Sequence, residues 1–88
     1  MAKIVKKLAL TVTPSQTVQL PASADNLRVD RVGNNICLWA DAELTEAPVA
    51  RTILFIGPGG LLPSGSITFL GTVFAAGTNA EWHVYEDL

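Results

Sequence analysis

Turn-forming residues interrupt this chain about every ten positions, and that spacing restricts it to short strands. Pro14, Pro21, Gly33-Asn34-Asn35, Pro48, a glycine-rich run at 57–66 and Gly77-Thr78-Asn79 separate segments rich in β-branched and aromatic residues. None of those segments carries a 3.6-residue apolar stripe or follows a capping box, so no helix is predicted. Seven strands are predicted instead, at residues 3–12, 17–20, 27–32, 36–42, 49–56, 67–76 and 80–86. Their short connections favour antiparallel pairing. The expectation is an all-β fold: one domain over residues 1–88, a small antiparallel β-sandwich or barrel of about seven short strands.

Alternation sorts the faces of two strands. Trp82, Val84 and Glu86 share one side of the last strand, and His83 and Tyr85 the other. In the fourth, Ile36, Leu38 and Ala40 oppose Cys37, Trp39 and Asp41. The fifth and sixth strands are apolar on both faces, as central strands or an interface would be. No charged residue occurs from Thr52 to Ala80, but its prolines, glycines and hydroxyl residues break that stretch into strand-length pieces, so a membrane span is not expected.

Composition narrows the function classes. With 49% hydrophobic and 16% charged residues in 88, the chain has more apolar surface than a small monomer easily hides, and a homo-oligomer is expected. A net charge of −2 argues against a duplex nucleic-acid partner, whose footprint is normally met by basic surface. Three of the six cations, Lys3, Lys6 and Lys7, crowd the N-terminus, leaving Arg28, Arg31 and Arg51 in mid-chain. One or two placed arginines suffice for a small anionic ligand. Cys37 is the single cysteine, so an internal disulfide is excluded; without a recognisable leader the chain reads as cytoplasmic.

Catalytic motifs are weak. In "FIGPGGLLPSG" (55–65) no lysine follows Gly60 and the next element is a strand, which rules out a P-loop. "PSGS" lacks the context and partner acid of a nucleophile elbow. Two readings of the loop stand: a strand connection, or a backbone nest in which N–H groups at Gly59 and Gly60 meet an anion. His83, the sole histidine, and Cys37 sit among apolar neighbours and are too few for a structural zinc site. Glu43, Glu46, Glu81, Glu86 and Asp87 read as solvated charge. No cofactor is indicated, and an enzyme is not expected. Trp39 and Trp82 are either core or stacking platforms for bases. Arg51, alone in an apolar strand, is either an edge gatekeeper or an anion contact.

The segments "CLWA", "RTILFIGPGG", "FLGTV" and "EWHVYE" resemble a family of short bacteriophage proteins. Its members carry a Leu-Trp-Ala strand, an aromatic-x-x-Gly-Thr-Gly segment, an Ile/Leu-Gly-Thr segment and a closing Trp-His-Val-aromatic strand. The resemblance runs from about Cys37 to Glu86, and Trp39, Leu70-Gly71-Thr72 and Trp82-His83-Val84 lie on it. One departure is Gly57-Pro58-Gly59-Gly60 in place of Gly-Thr-Gly and a polar residue, which leaves only backbone at that place. The chain is also similar to phage sponge proteins that counter CBASS immunity, small β-rich oligomers that sequester cyclic dinucleotides such as 3′3′-cGAMP without cleaving them. That resemblance implies a non-enzymatic binder in the cytoplasm of an infected bacterial host. Its expected ligand contacts are Trp39 and Trp82 against bases and Arg51 at phosphate. Thr72 and His83 would supply hydrogen bonds, with Gly57, Gly59 and Gly60 as backbone wall. The alternative is a structural or accessory oligomeric phage protein without a small-molecule ligand, and a hydrolase of the same nucleotides ranks third.

Overall fold

The computed structural model describes residues 2–88. Their strands are β1 (Lys3–Leu10), β2 (Ser15–Pro21), β3 (Asp25–Val32), β4 (Asn35–Glu43), β5 (Pro48–Ile56), β6 (Ile67–Phe74) and β7 (Glu81–Asp87). They form a three-stranded sheet in the order β1-β4-β3 and a four-stranded sheet in the order β2-β5-β7-β6, with every pair antiparallel. The fold is therefore all-β, as the turn spacing predicts. Strand ends differ by at most two residues; Thr11 and Val12, for example, lie beyond the end of β1.

Alternation builds the core. Ile36, Leu38, Ala40 and Ala42 point inward from β4 and meet Val18 and Leu20 of β2, Ile53 and Phe55 of β5, and Val84 of β7 in one buried cluster. Leu20, Leu38, Ile53 and Val84 are completely or almost completely removed from water, each contributing about 1.5–3 kcal/mol of burial.

The sheets approach each other along one side, where β3 runs beside β6. A bulge between Phe69 and Gly71 inserts Leu70 into β6 and turns its side chain into the core. Gly71 takes φ +152°, and a Cβ there would lie 3.0 Å from Val29 Cγ2 on β3. Glycine is thus required twice over, by its backbone angle and by the close approach of β3. This gives the Leu70-Gly71-Thr72 segment a structural meaning: bulge, sheet contact and outward-facing hydroxyl in successive residues.

A buried ion pair fastens the other elements. Arg51 Nε and Nη2 donate to Glu86 Oε2 and Oε1 at 2.6 and 2.9 Å, and Nη1 donates to the carbonyls of Pro21 and Ala24, both at 2.9 Å. The two side chains are 14% and 6% exposed. One guanidinium so joins β5, β7 and the turn between β2 and β3. Glu86 is accordingly no solvated charge, which corrects the sequence reading of that carboxylate. β5 is also an interior strand, so Arg51 does not guard an edge.

Breaking this pair from one side strands a charge in the interior. Arg51→Ala is expected to lower the unfolding free energy in urea by roughly 3–5 kcal/mol, and the double variant Arg51→Met/Glu86→Leu to recover most of it. Equal losses in the single and double variants would refute this role. Gly71→Ala should cost about 1–3 kcal/mol in the same melts through strain at the bulge.

Candidate functional site

The eight residues singled out in the sequence do not converge on one place. Gly57, Gly59 and Gly60 form a turn whose hollow, about 270 Å³, is also lined by Leu62, His83 and Tyr85. Thr72 joins them through His83. Trp39 lies on the other sheet, while Arg51 and Trp82 face inward.

In the glycine turn, Gly60 N–H donates to the Gly57 carbonyl at 2.9 Å, Pro58 takes the first central position and Gly59 the second with φ +83°. This is a type II turn, which needs positive φ at that second position. The Gly60 N–H is spent inside the turn, so Gly59 and Gly60 do not present the pair of free N–H groups an anion nest requires. The nest reading is corrected on that ground.

Trp82 packs edge-on against Phe55, with ring centroids 6.3 Å apart, and lies under Gly57. Its Nε1 is buried without an acceptor among the described residues. It is half-buried against the core at the end of the sandwich beneath the glycine turn, on the inward side of β7 and not on an outer sheet face where a base would stack. Arg51 likewise has four of its N–H directions committed to Glu86 and two carbonyls, which corrects its assignment to phosphate.

On the outer face of the four-stranded sheet, Thr72 stands opposite His83 in register. Thr72 Oγ1 lies 3.1 Å from His83 Nδ1, and His83 Nε2 lies 2.6 Å from Glu81 Oε2. With Glu81 ionised, Nε2–H donates to the carboxylate, and in the neutral ring Nδ1 accepts from the Thr72 hydroxyl. The relay has the order of a hydroxyl, a base and an orienting acid, but it lies flat on an open sheet face. Cys37 is buried in the other sheet, so it and His83 do not form a pair.

Trp39 has a different environment. Register places it between Lys7 of β1 and Arg28 of β3, so the three form one cross-strand row on the outer face of the three-stranded sheet. Lys7 Nζ stands 5.8 Å from the Trp39 ring centroid, a cation–π distance. Arg28 is set by a bulge between Asp25 and Arg28, at which Asn26 adopts φ +52°. Arg28 Nη1 donates to the Asn26 carbonyl at 2.7 Å and to Asp41 Oδ1 at 3.2 Å, and Asn26 Nδ2 donates to Asp41 Oδ2 at 2.9 Å. Asp41 thus orients the arginine while Arg28 Nε and Nη2 remain unengaged among the described residues. Lys7 has no carboxylate within ion-pair distance among those residues. Lys7 and Arg28 were not singled out in the sequence. Their spacing from Trp39 becomes visible only once the strand registers are known.

The Asn26 amide, and after it the Arg28 guanidinium, hold the Asp41 carboxyl below the ordinary carboxylate range. A depressed acid stabilises the fold at pH above its unfolded value, and that contribution is lost as pH falls through the folded value. Carbon-detected NMR titration should therefore find Asp41 titrating below 3.8, and both Asn26→Ala and Arg28→Ala should move it upward. A titration unchanged by either substitution would show that these contacts do not form in solution.

No curated protein and no solved structure matches this chain. One family model does, and it covers residues 1–88, the whole sequence. The chain belongs to the family described as a domain of unknown function, DUF7352.

Proposed function

We propose that the protein is a non-enzymatic binder that sequesters a cyclic dinucleotide immune signal, such as 3′3′-cGAMP, in the cytoplasm of a phage-infected bacterium and so blunts CBASS defence. The ligand class comes from the sequence resemblance, and the observation that carries the reading is the Lys7–Trp39–Arg28 row. A cyclic dinucleotide offers flat bases and two negatively charged phosphodiesters. The row offers an aromatic ring whose cross-strand neighbours are both cations, their backbones roughly 9–10 Å apart across two strand spacings. Lys7 Nζ lies over the ring. A base would stack on the outward side of Trp39, while Lys7 and the unengaged donors of Arg28 would meet phosphate oxygens. Sequestration needs binding energy alone and no group that changes its protonation in a transition state.

A second reading, a structural or accessory oligomeric phage protein without a small-molecule ligand, is favoured by the exposed apolar and aromatic cluster on the outer face of the four-stranded sheet.

Thermal melting against 3′3′-cGAMP, the cyclic dipurine homodinucleotides, a linear dinucleotide and a mononucleotide separates these readings. At a hundred times its dissociation constant, a cyclic ligand should raise stability by about 2.7 kcal/mol. Trp39→Ala, Lys7→Ala and Arg28→Ala should each abolish that gain. The ligand should be recovered intact after heat denaturation; a cleaved product would instead indicate a hydrolase. Absence of any shift with the whole panel would leave the accessory-protein reading.

A further inference from the structure

The outer face of the four-stranded sheet carries an apolar and aromatic cluster on β5, β7 and β6, bordered by the polar outward positions Ser15, Thr17 and Gln19 of β2. Leu54 stands opposite Tyr85, and Tyr85 opposite Phe69, so one row crosses three strands. Phe69 and Tyr85 are in ring contact at 5.4 Å. The next row carries Ile56, His83 and Thr72, with the histidine already satisfied by Thr72 and Glu81. The loop after β5 folds back over this face, and Pro14, Leu54, Ile56, Leu61, Leu62 and Pro63 line a groove of about 460 Å³ there. At its lip Leu61 is 93% exposed, while Leu62 and Phe69 are each 55% exposed. A leucine almost wholly in water beside an unfilled apolar groove is a knob and a hole carried by the same chain.

We propose that this face is the docking surface for a second copy of the chain, arranged about a two-fold axis so that each copy places Leu61 in the groove of the other. Self-complementarity is the first argument: knob and hole are neighbours, so one two-fold rotation engages both pairs at once. Exposure is the second. Leu61, Leu62, Phe69 and Phe74 stand on or beside this face at 93, 55, 55 and 48% exposure, a contiguous apolar patch of the kind that marks an interaction surface. Charge is the third. The middle of the face, Leu54, Ile56, Phe69, His83 and Tyr85, carries no carboxylate or ammonium group. Its charges, Glu81 and Asp87, stand at the two ends of β7, where they remain at the rim of a dimer. The charges bordering it on β7 are the carboxylates Glu81 and Asp87, which disfavours an acidic lipid surface. Two such faces stacked at the ordinary sheet spacing of about 10 Å would continue the layering of each sandwich. Trp39, on the other sheet, would point outward on both copies.

Sedimentation of the full chain from micromolar to millimolar concentration should show a species of twice the 9.3 kDa chain mass. Leu61→Asp should raise the dimer dissociation constant by roughly 100-fold, as loss of a central apolar anchor does, with unchanged circular dichroism because the residue is solvent-exposed in the monomer. Phe69→Asp should act in the same direction. Val5→Asp, on an exposed position of β1 in the other sheet, should leave the mass unchanged. A wild-type monomer at the highest concentration would overturn the proposal. So would a Leu61→Asp protein that still dimerises, or dissociation caused by Val5→Asp alone. A monomer that co-sediments with zwitterionic vesicles would reassign the face to a membrane. The nucleotide reading is tested independently, because Leu61→Asp leaves the Lys7–Trp39–Arg28 row intact.

Discussion

The Arg51–Glu86 pair is the interaction on which the arrangement of this domain depends. Two neighbouring strands of one sheet are held at β5 and β7, and the same guanidinium takes the carbonyls that end β2 and precede β3. The chain crosses from the four-stranded to the three-stranded sheet at that turn, so a single side chain sets how one sheet enters the other. The charge is tolerated because its partner is bidentate and the remaining donors find backbone acceptors. A fold of 88 residues has few buried contacts to spare, and one satisfied ionic junction replaces several apolar ones.

With the junction and core settled, the two outer faces divide the remaining chemistry. The three-stranded sheet carries charged residues of both signs around one tryptophan, arranged by register into an aromatic between two cations. The four-stranded sheet carries the chain's long uncharged stretch, with a hydrogen-bonded histidine at its middle. These faces favour different partners on physical grounds. A flat ring with cations on either side suits a planar anion, whereas aromatic and aliphatic rows without charge lose most by remaining in water. The proposed ligand site and the proposed self-association face therefore do not compete for surface.

The glycine run shows how a sequence signal can be real and its chemistry different. Gly57-Pro58-Gly59-Gly60 has the composition of an anion-binding loop, yet the Gly60 N–H closes a type II turn and is no longer available. Its function in the fold is to reverse the chain above Trp82 and bring Leu61 and Leu62 over the sheet. Arg51 offers a parallel case. An arginine in an apolar strand signals an important contact, but the contact is Glu86, thirty-five residues away, and not a ligand.

Strand number, antiparallel pairing and the division of β4 and β7 into two faces were legible in the sequence, though not which face turns inward. They follow from turn residues and period-two alternation, which act within a few neighbours along the chain. The glycine at position 71 and the sole histidine were legible as special positions without their partners. Val29 beside Gly71, Thr72 opposite His83, Glu86 on Arg51, and Lys7 and Arg28 flanking Trp39 were decided by tertiary structure alone. Each depends on strand order and register, and a one-residue slip would send every one of those side chains to the opposite face. Local chemistry made the strands; long-range pairing chose which groups meet on them.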